Sequence, residues 1–158
     1  MNTWLVATYK INEASRLELN LQNQRFDYYL PKIFLQELNT NQKEELMFPG
    51  YIFINTNLKN YSALKYTKGI KKILKFGENI PSMSKDDINA IMKIEHESKD
   101  KPFSTIYTMG QEVVITEGSF KGNLAKICSL PAAKRIDILI HVLGSKRRVN
   151  IALEDLSL

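Results

Sequence analysis

A chain of 158 residues, 44% of them apolar, is long enough for one large domain or two small ones and apolar enough for an ordinary buried core. It has no apolar run long enough to span a bilayer and no signal-peptide pattern at its start, so a cytoplasmic, non-membrane protein is expected. The lone Cys128 excludes an internal disulfide, His96 and His141 supply no zinc-ligand spacing, and 22 basic against 17 acidic side chains (net +5) favour a polyanionic partner.

The first expected element is a strand over residues 3–9, bounded by polar residues. Asn12 is placed to cap a helix reaching about Arg25, with Glu13 in its first turn. Ala14, Leu17 and Leu21 stand at helical spacing, and Leu19 lies off that stripe. Residues 27–31 return to extended structure. Pro31 has no N–H to give a ladder, which puts it at an edge or a strand end, and residues 32–35 can continue the strand. The polar stretch 36–45 reads as a hairpin or a mobile loop.

Residues 45–54 are the centre of the pattern. Pro49 and Gly50 turn the chain, and Tyr51, Ile52, Phe53 and Ile54 follow as a strand that is apolar on both sides. Tyr51 and Phe53 point one way and Ile52 and Ile54 the other, so one face can pack on the domain's own helices while the second must be covered by something else. Asn57 is placed to cap a short helix with Leu58, Tyr61 and Leu64, ending before Gly69, and residues 70–76 form a strand up to Gly77. The order strand, helix, strand, strand, helix, strand is that of a split βαβ unit in an α+β fold. Ser84 and Asp87 mark the start of a further helix with Ile88, Ile91 and Met92 on its apolar stripe. The charged residues 95–101 beyond it read as an interdomain linker or a fraying helix end.

From Gly110 to Gly122 the texture changes, with three glycines and a β-branched run in thirteen positions, the punctuation of a small barrel. Strand-like runs recur at 113–116, 125–127, 136–142 and 149–153. Helical spacing fits as well, through Phe120, Leu124 and Ile127 and through Ile136, Leu139, Ile140 and Leu143. Ile136, Ile138, Ile140 and Val142 satisfy a period of two equally, so periodicity leaves both readings open.

Trp4, the segment Phe48-Pro49-Gly50-Tyr51-Ile52-Phe53, and the glycine pattern from Gly110-Gln111-Glu112-Val113 to Phe120-Lys121-Gly122 resemble the NusG family of transcription elongation factors over nearly the whole chain. Lys75-Phe76-Gly77 and residues 114–118 are similar to its specialised RfaH branch. The resemblance implies an NGN domain over 1–98, a linker over 99–109 and a KOW domain over 110–158. In that branch the KOW domain is either a docked α-helical hairpin or a released five-stranded SH3-like β-barrel. It also implies that Tyr51, Phe53 and Phe76 form an apolar pocket for the clamp helices of RNA polymerase. Lys10, Arg16, Asn20, Thr67 and Lys68 fall where the non-template DNA strand is read, and Glu45 with Arg135 is the interdomain ion pair of the docked state. Asn20 replaces a histidine of that branch, Ile11 a basic residue and Thr8 a pocket tyrosine, and residues 60–63 do not reproduce its His-Thr-Thr-Thr motif.

No P-loop, dinucleotide fingerprint or nucleophile elbow is present, and Glu44-Glu45 and Asp86-Asp87 are simpler as a loop charge pair and a helix first turn than as an acid–base dyad. No enzyme, no cofactor and no metal are expected, and a monomer is. The expected function is that of a specialised elongation and antitermination factor restrained by its own C-terminal domain, with a small-subunit ribosomal protein as a further partner. Two other readings stay open. One is a general elongation factor with a permanent barrel. The other is a KOW-bearing RNA-binding or ribosome-associated module, in which the aromatics are core and the lysines a solvated face.

Overall fold

The structure is a computed structural model that describes residues 2–36, 42–104 and 130–145. Along the chain these form β1 (Thr3–Tyr9), α1 (Ala14–Asn23), β2 (Asp27–Tyr29), β3 (Lys32–Gln36), β4 (Gln42–Leu46) and β5 (Tyr51–Thr56). They continue as α2 (Tyr61–Lys65), β6 (Ile70–Ile73), α3 (Lys85–Asp100), β7 (Phe103–Ser104) and α4 (Ala132–Ser145). The chain divides into two compact units, the first from Met1–Leu30 with Gly50–Lys85 and the second from Pro31–Pro49 with Asp86–Leu158.

In the first unit four antiparallel strands pair in the order β2-β5-β1-β6, which is the split βαβ expected from the sequence. The central pair, β1 with β5, aligns Val6 with Phe53, Ala7 with Ile52 and Thr8 with Tyr51. Because side chains alternate, one face carries Leu5, Ala7, Tyr9, Ile52, Ile54, Thr56 and Ile73, all buried. A βαβ crossover in such a sheet returns with one hand, so α1 and α2 share a face. Their Leu17, Leu21 and Leu64 are fully buried there, each contributing roughly 1.5–3 kcal/mol. Leu19, off the stripe as read from the sequence, is exposed.

Local turns differ from the sequence reading in several places. Asn12 caps nothing: Ile11–Glu13 form a 3-10 turn, and α1 begins after Glu13, which makes no side-chain cap. The helix ends at Asn23, short of Arg25, which adopts a left-handed φ of 60°. Asn57 does cap, its Oδ1 accepting from the Asn60 N–H at 3.0 Å as the chain enters a 3-10 turn that leads into α2. β6 stops at Ile73, and the chain then makes a two-way backbone pair between Phe76 and Asn79.

The second unit is built on a three-stranded sheet, β4-β3-β7, antiparallel between β3 and β4 and parallel between β3 and β7. Lys32–Gln36 is therefore a strand of its own, and Gln42–Leu46 is a strand where a loop or hairpin was expected; residues 37–41 lie outside the described residues. The charged run 95–101, expected as a linker or helix end, is helical as far as Asp100. Two of its side chains bond the part of β3 that β7 does not pair. Glu95 Oε1 accepts from the Lys32 N–H at 2.8 Å, and Ser98 Oγ accepts from the Phe34 N–H at 3.2 Å while donating to the Glu95 carbonyl at 2.7 Å. Met92 is exposed, so the α3 stripe is carried by Ile88 and Ile91.

Residues 132–145, where two periodicities competed, are helical. The buried stripe is Arg135, Ile138, Leu139, Val142 and Leu143, rotated from the expected Ile136, Leu139, Ile140 and Leu143. The expected elements at 110–127 and 149–153 lie outside the described residues. Among the described residues no helix is long and apolar enough to cross a membrane.

Two predictions follow from unit-one packing. Gly69 has φ +105°, and a Cβ there would stand 3.1 Å from Leu17 Cβ and Cδ1. Gly69→Ala is therefore expected to cost about 1–3 kcal/mol by backbone strain and overpacking, read from the urea midpoint. Burial raises the Tyr9 phenol above its usual pKa, with the Gly50 backbone opposing and the Glu18 charge adding to the rise. The folded state thus holds that proton more tightly than the unfolded chain. Its stability contribution is complete below the ordinary phenol range and falls as pH rises through it, and alkaline melting curves of Tyr9→Phe should lack that loss.

Candidate functional site

The second face of the first unit's sheet is defined by the same register. Tyr51 lies beside Thr8, and Phe53 lies between Val6 on β1 and Tyr29 on β2, its ring centre 6.3 Å from that of Tyr29 at a 46° tilt. Tyr51 and Phe53 therefore share one face, as their spacing implied. Phe53 and Phe76 are buried, and Tyr51 is half-buried. Phe76 stands outside the strand ladder, in the Phe76–Asn79 turn. In this state Tyr51 is the one of the three with surface to offer a partner. The face is aromatic and held rigid by a paired central strand, which suits an apolar protein contact rather than a reaction.

Four of the five expected DNA-reading residues lie on one part of the first unit. Arg16 is exposed one helical turn before Asn20, whose Nδ2 donates to the Lys68 carbonyl at 2.9 Å. Thr67 is buried, and its hydroxyl is within donating distance of the Ala63 carbonyl at 2.9 Å and Gln24 Oε1 at 3.2 Å. It fixes the turn after α2 and so positions Lys68, whose side chain is exposed. Lys10 is exposed just before the 3-10 turn. The arrangement gives a cationic surface with Asn20 and Thr67 as its braces.

Glu45 and Arg135 meet inside the second unit. Arg135 is fully buried and its guanidinium is almost completely used: Nη2 bonds Glu45 Oε1 and, at 3.2 Å, the Leu46 carbonyl; Nε bonds the Met47 carbonyl at 2.7 Å; Nη1 bonds the Leu130 carbonyl at 2.6 Å. The Glu45 side chain keeps 24% of its surface, with Lys43 Nζ 4.0 Å from its other oxygen. One planar fork thus ties α4 and the turn before it to β4 and the residues that follow β4. Pro131, just before α4, accepts from the Lys134 and Arg135 amides, which starts the helix where a missing N–H costs nothing. The sequence reading did not anticipate the three carbonyls, nor the roles of Glu95 and Ser98 at β3; an unusually buried arginine leaves no trace in local periodicity.

The sequence model of a family described as "Transcription termination factor nusG" matches residues 2–92, more than half of the chain. A solved structure from Thermotoga maritima, described as "Domain interaction in Thermotoga maritima NusG", is similar at 14% identity with a TM-score of 0.43, covering 72% of this chain and 69% of that one.

Removing the fork should loosen the second unit. Arg135→Ala is expected to cost about 3–5 kcal/mol, since it strips Glu45 and three carbonyls of their donor. Glu45→Gln should cost about as much, since an amide oxygen still accepts but leaves the fully buried guanidinium without its counter-charge. Amide exchange of α4 checks both, and unchanged protection in Arg135→Ala would contradict the assignment.

Proposed function

This chain belongs to the NusG family of transcription factors, and we propose that within it the protein is a specialised elongation and antitermination factor that its own C-terminal segment restrains. Factors of this family interact with RNA polymerase. The observation that carries the reading is the aromatic sheet face with Tyr51 and Phe53 on the strand at the centre of the matched region. In this proposal that face takes the clamp helices of polymerase, with Tyr51, Phe53 and Phe76 as the apolar contact. Lys10, Arg16 and Lys68 attract the phosphates of the exposed non-template strand, with Asn20 and Thr67 beside them. No chemical step is assigned to any residue: the protein acts by holding, and is not an enzyme.

The restraint rests on α4. Its residues satisfy both a helical and a strand period, they are helical in this state, and Arg135 ties them to β4 beside Glu45. A segment with two packings a few kcal/mol apart is the raw material of a switch. In the proposed cycle the helical state withholds the polymerase-binding face, and release lets the C-terminal segment become a KOW barrel able to meet a ribosomal partner.

The test is retention of RNA polymerase by the full-length protein with and without Tyr51→Ala, each alone and combined with Arg135→Ala. Truncating an aromatic anchor should weaken retention about tenfold or more, while the half-buried position keeps the melting temperature near that of its parent. Equal retention with and without Tyr51→Ala would remove the aromatic face as the site. No retention by any of the four proteins would remove the polymerase reading altogether.

A further inference from the structure

From Leu46 to Gly77 the chain contains no acidic residue and six lysines: Lys59, Lys65, Lys68, Lys71, Lys72 and Lys75. That stretch builds β5, α2 and β6, so the positive charge is gathered around α2 and the sheet's outer strand β6. None of the six pairs with an acidic side chain among the described residues. Lysines on an outer strand guard it against pairing with other sheets, which accounts for Lys71 and Lys72. It does not account for Tyr66.

Tyr66 is 79% exposed, the most exposed large apolar side chain among the described residues. Its backbone is nonetheless fixed. The Tyr66 N–H donates to the Ser62 carbonyl at 3.2 Å and the Thr67 N–H to Leu64 at 3.0 Å, while the buried Thr67 side chain and the Asn20–Lys68 bond pin the next two residues to α1. Lys65 Nζ lies 5.7 Å from the ring centre. A protein-docking aromatic sits among apolar neighbours; this ring instead has the Lys65 ammonium beside it on a braced turn. Rings in that setting stack on unpaired bases while the adjacent cations hold the phosphates.

We propose that Tyr66 is a stacking platform for one unpaired base of a single-stranded nucleic acid whose phosphates run along Lys65, Lys68 and Arg16. The inference rests on the reading of this surface as DNA-binding and adds the side chain that meets a base. Arg16 belongs to the same strip because Asn20, one turn further along α1, is bonded to the Lys68 carbonyl.

The experiment measures anisotropy of a fluorescein-labelled single strand of mixed sequence with the full-length protein, at about 50 and about 200 mM salt. The same sequence as RNA and as duplex DNA forms the other arms. Tyr66→Ala should weaken single-strand binding by about fivefold or more with the salt slope unchanged, and Tyr66→Phe should bind like wild type. Lys68→Gln should weaken binding and reduce the slope by about 0.7. Duplex binding should not respond to Tyr66. RNA bound as well as DNA, with the same dependence on Tyr66, supports the platform and makes RNA its partner. If Tyr66→Ala binds like wild type while Lys68→Gln is weakened, the stacking role is overturned and the basic surface stands. If the wild type shows no salt-dependent binding, both are overturned.

Discussion

The pairing of β1 with β5 is the constraint on which the first unit depends. Six consecutive residue pairs, from Thr3 with Thr56 to Thr8 with Tyr51, fix which side chains face which way. A slip of β5 by one residue against β1 would exchange Ile52 and Ile54 for Tyr51 and Phe53 on the face that α1 and α2 occupy. The small Ala7 and branched Ile52 and Ile54 suit the helix side, where Leu17, Leu21 and Leu64 fill the space. The aromatic face follows from that choice. It lies on the side opposite the helices, and Gly50 sets its start. With φ +86°, Gly50 turns the chain into β5 and gives its carbonyl to the Tyr9 N–H at 3.0 Å.

The second unit depends on a different kind of bond. Burying a guanidinium costs several kcal/mol unless its donors are met, and Arg135 meets one carboxylate and three carbonyls without any exposed surface. Such an arrangement adds less net stability than an apolar core of equal size, but it tolerates no partial substitute. It holds together or it leaves charge stranded. That all-or-none character suits a segment whose residues fit either of two secondary structures.

Much of the first unit was legible in the sequence because its signals are local. The strand at residues 3–9, the Leu17 and Leu21 stripe, the Pro49-Gly50 turn and the Asn57 cap each depend on near neighbours. The misses share a non-local cause. β4 is polar along its length and lies at a sheet edge, so it lacks alternation, and its Lys43 and Glu44 are the charges an edge strand favours. Asn12 has a capping side chain, but the chain enters α1 through a 3-10 turn. The α4 stripe is rotated because Arg135, polar by composition, is drawn inward by carbonyls at Leu46 and Met47 that lie far away in sequence. The candidate site divides in the same way. Tyr51 and Phe53 were readable from strand spacing, whereas the inward turn of Thr67 and the exposure of Tyr66 depend on how the turn after α2 is braced.

The Arg135 fork is proposed to restrain polymerase binding. The measurement is the affinity of full-length protein for RNA polymerase, wild type against Arg135→Ala, at one salt concentration and with α4 followed by carbon chemical shifts. The account predicts that the variant loses helical shifts over residues 132–145 and binds about tenfold more tightly or better, since freeing a withheld site multiplies the competent fraction. Loss of the helix with unchanged affinity would contradict it.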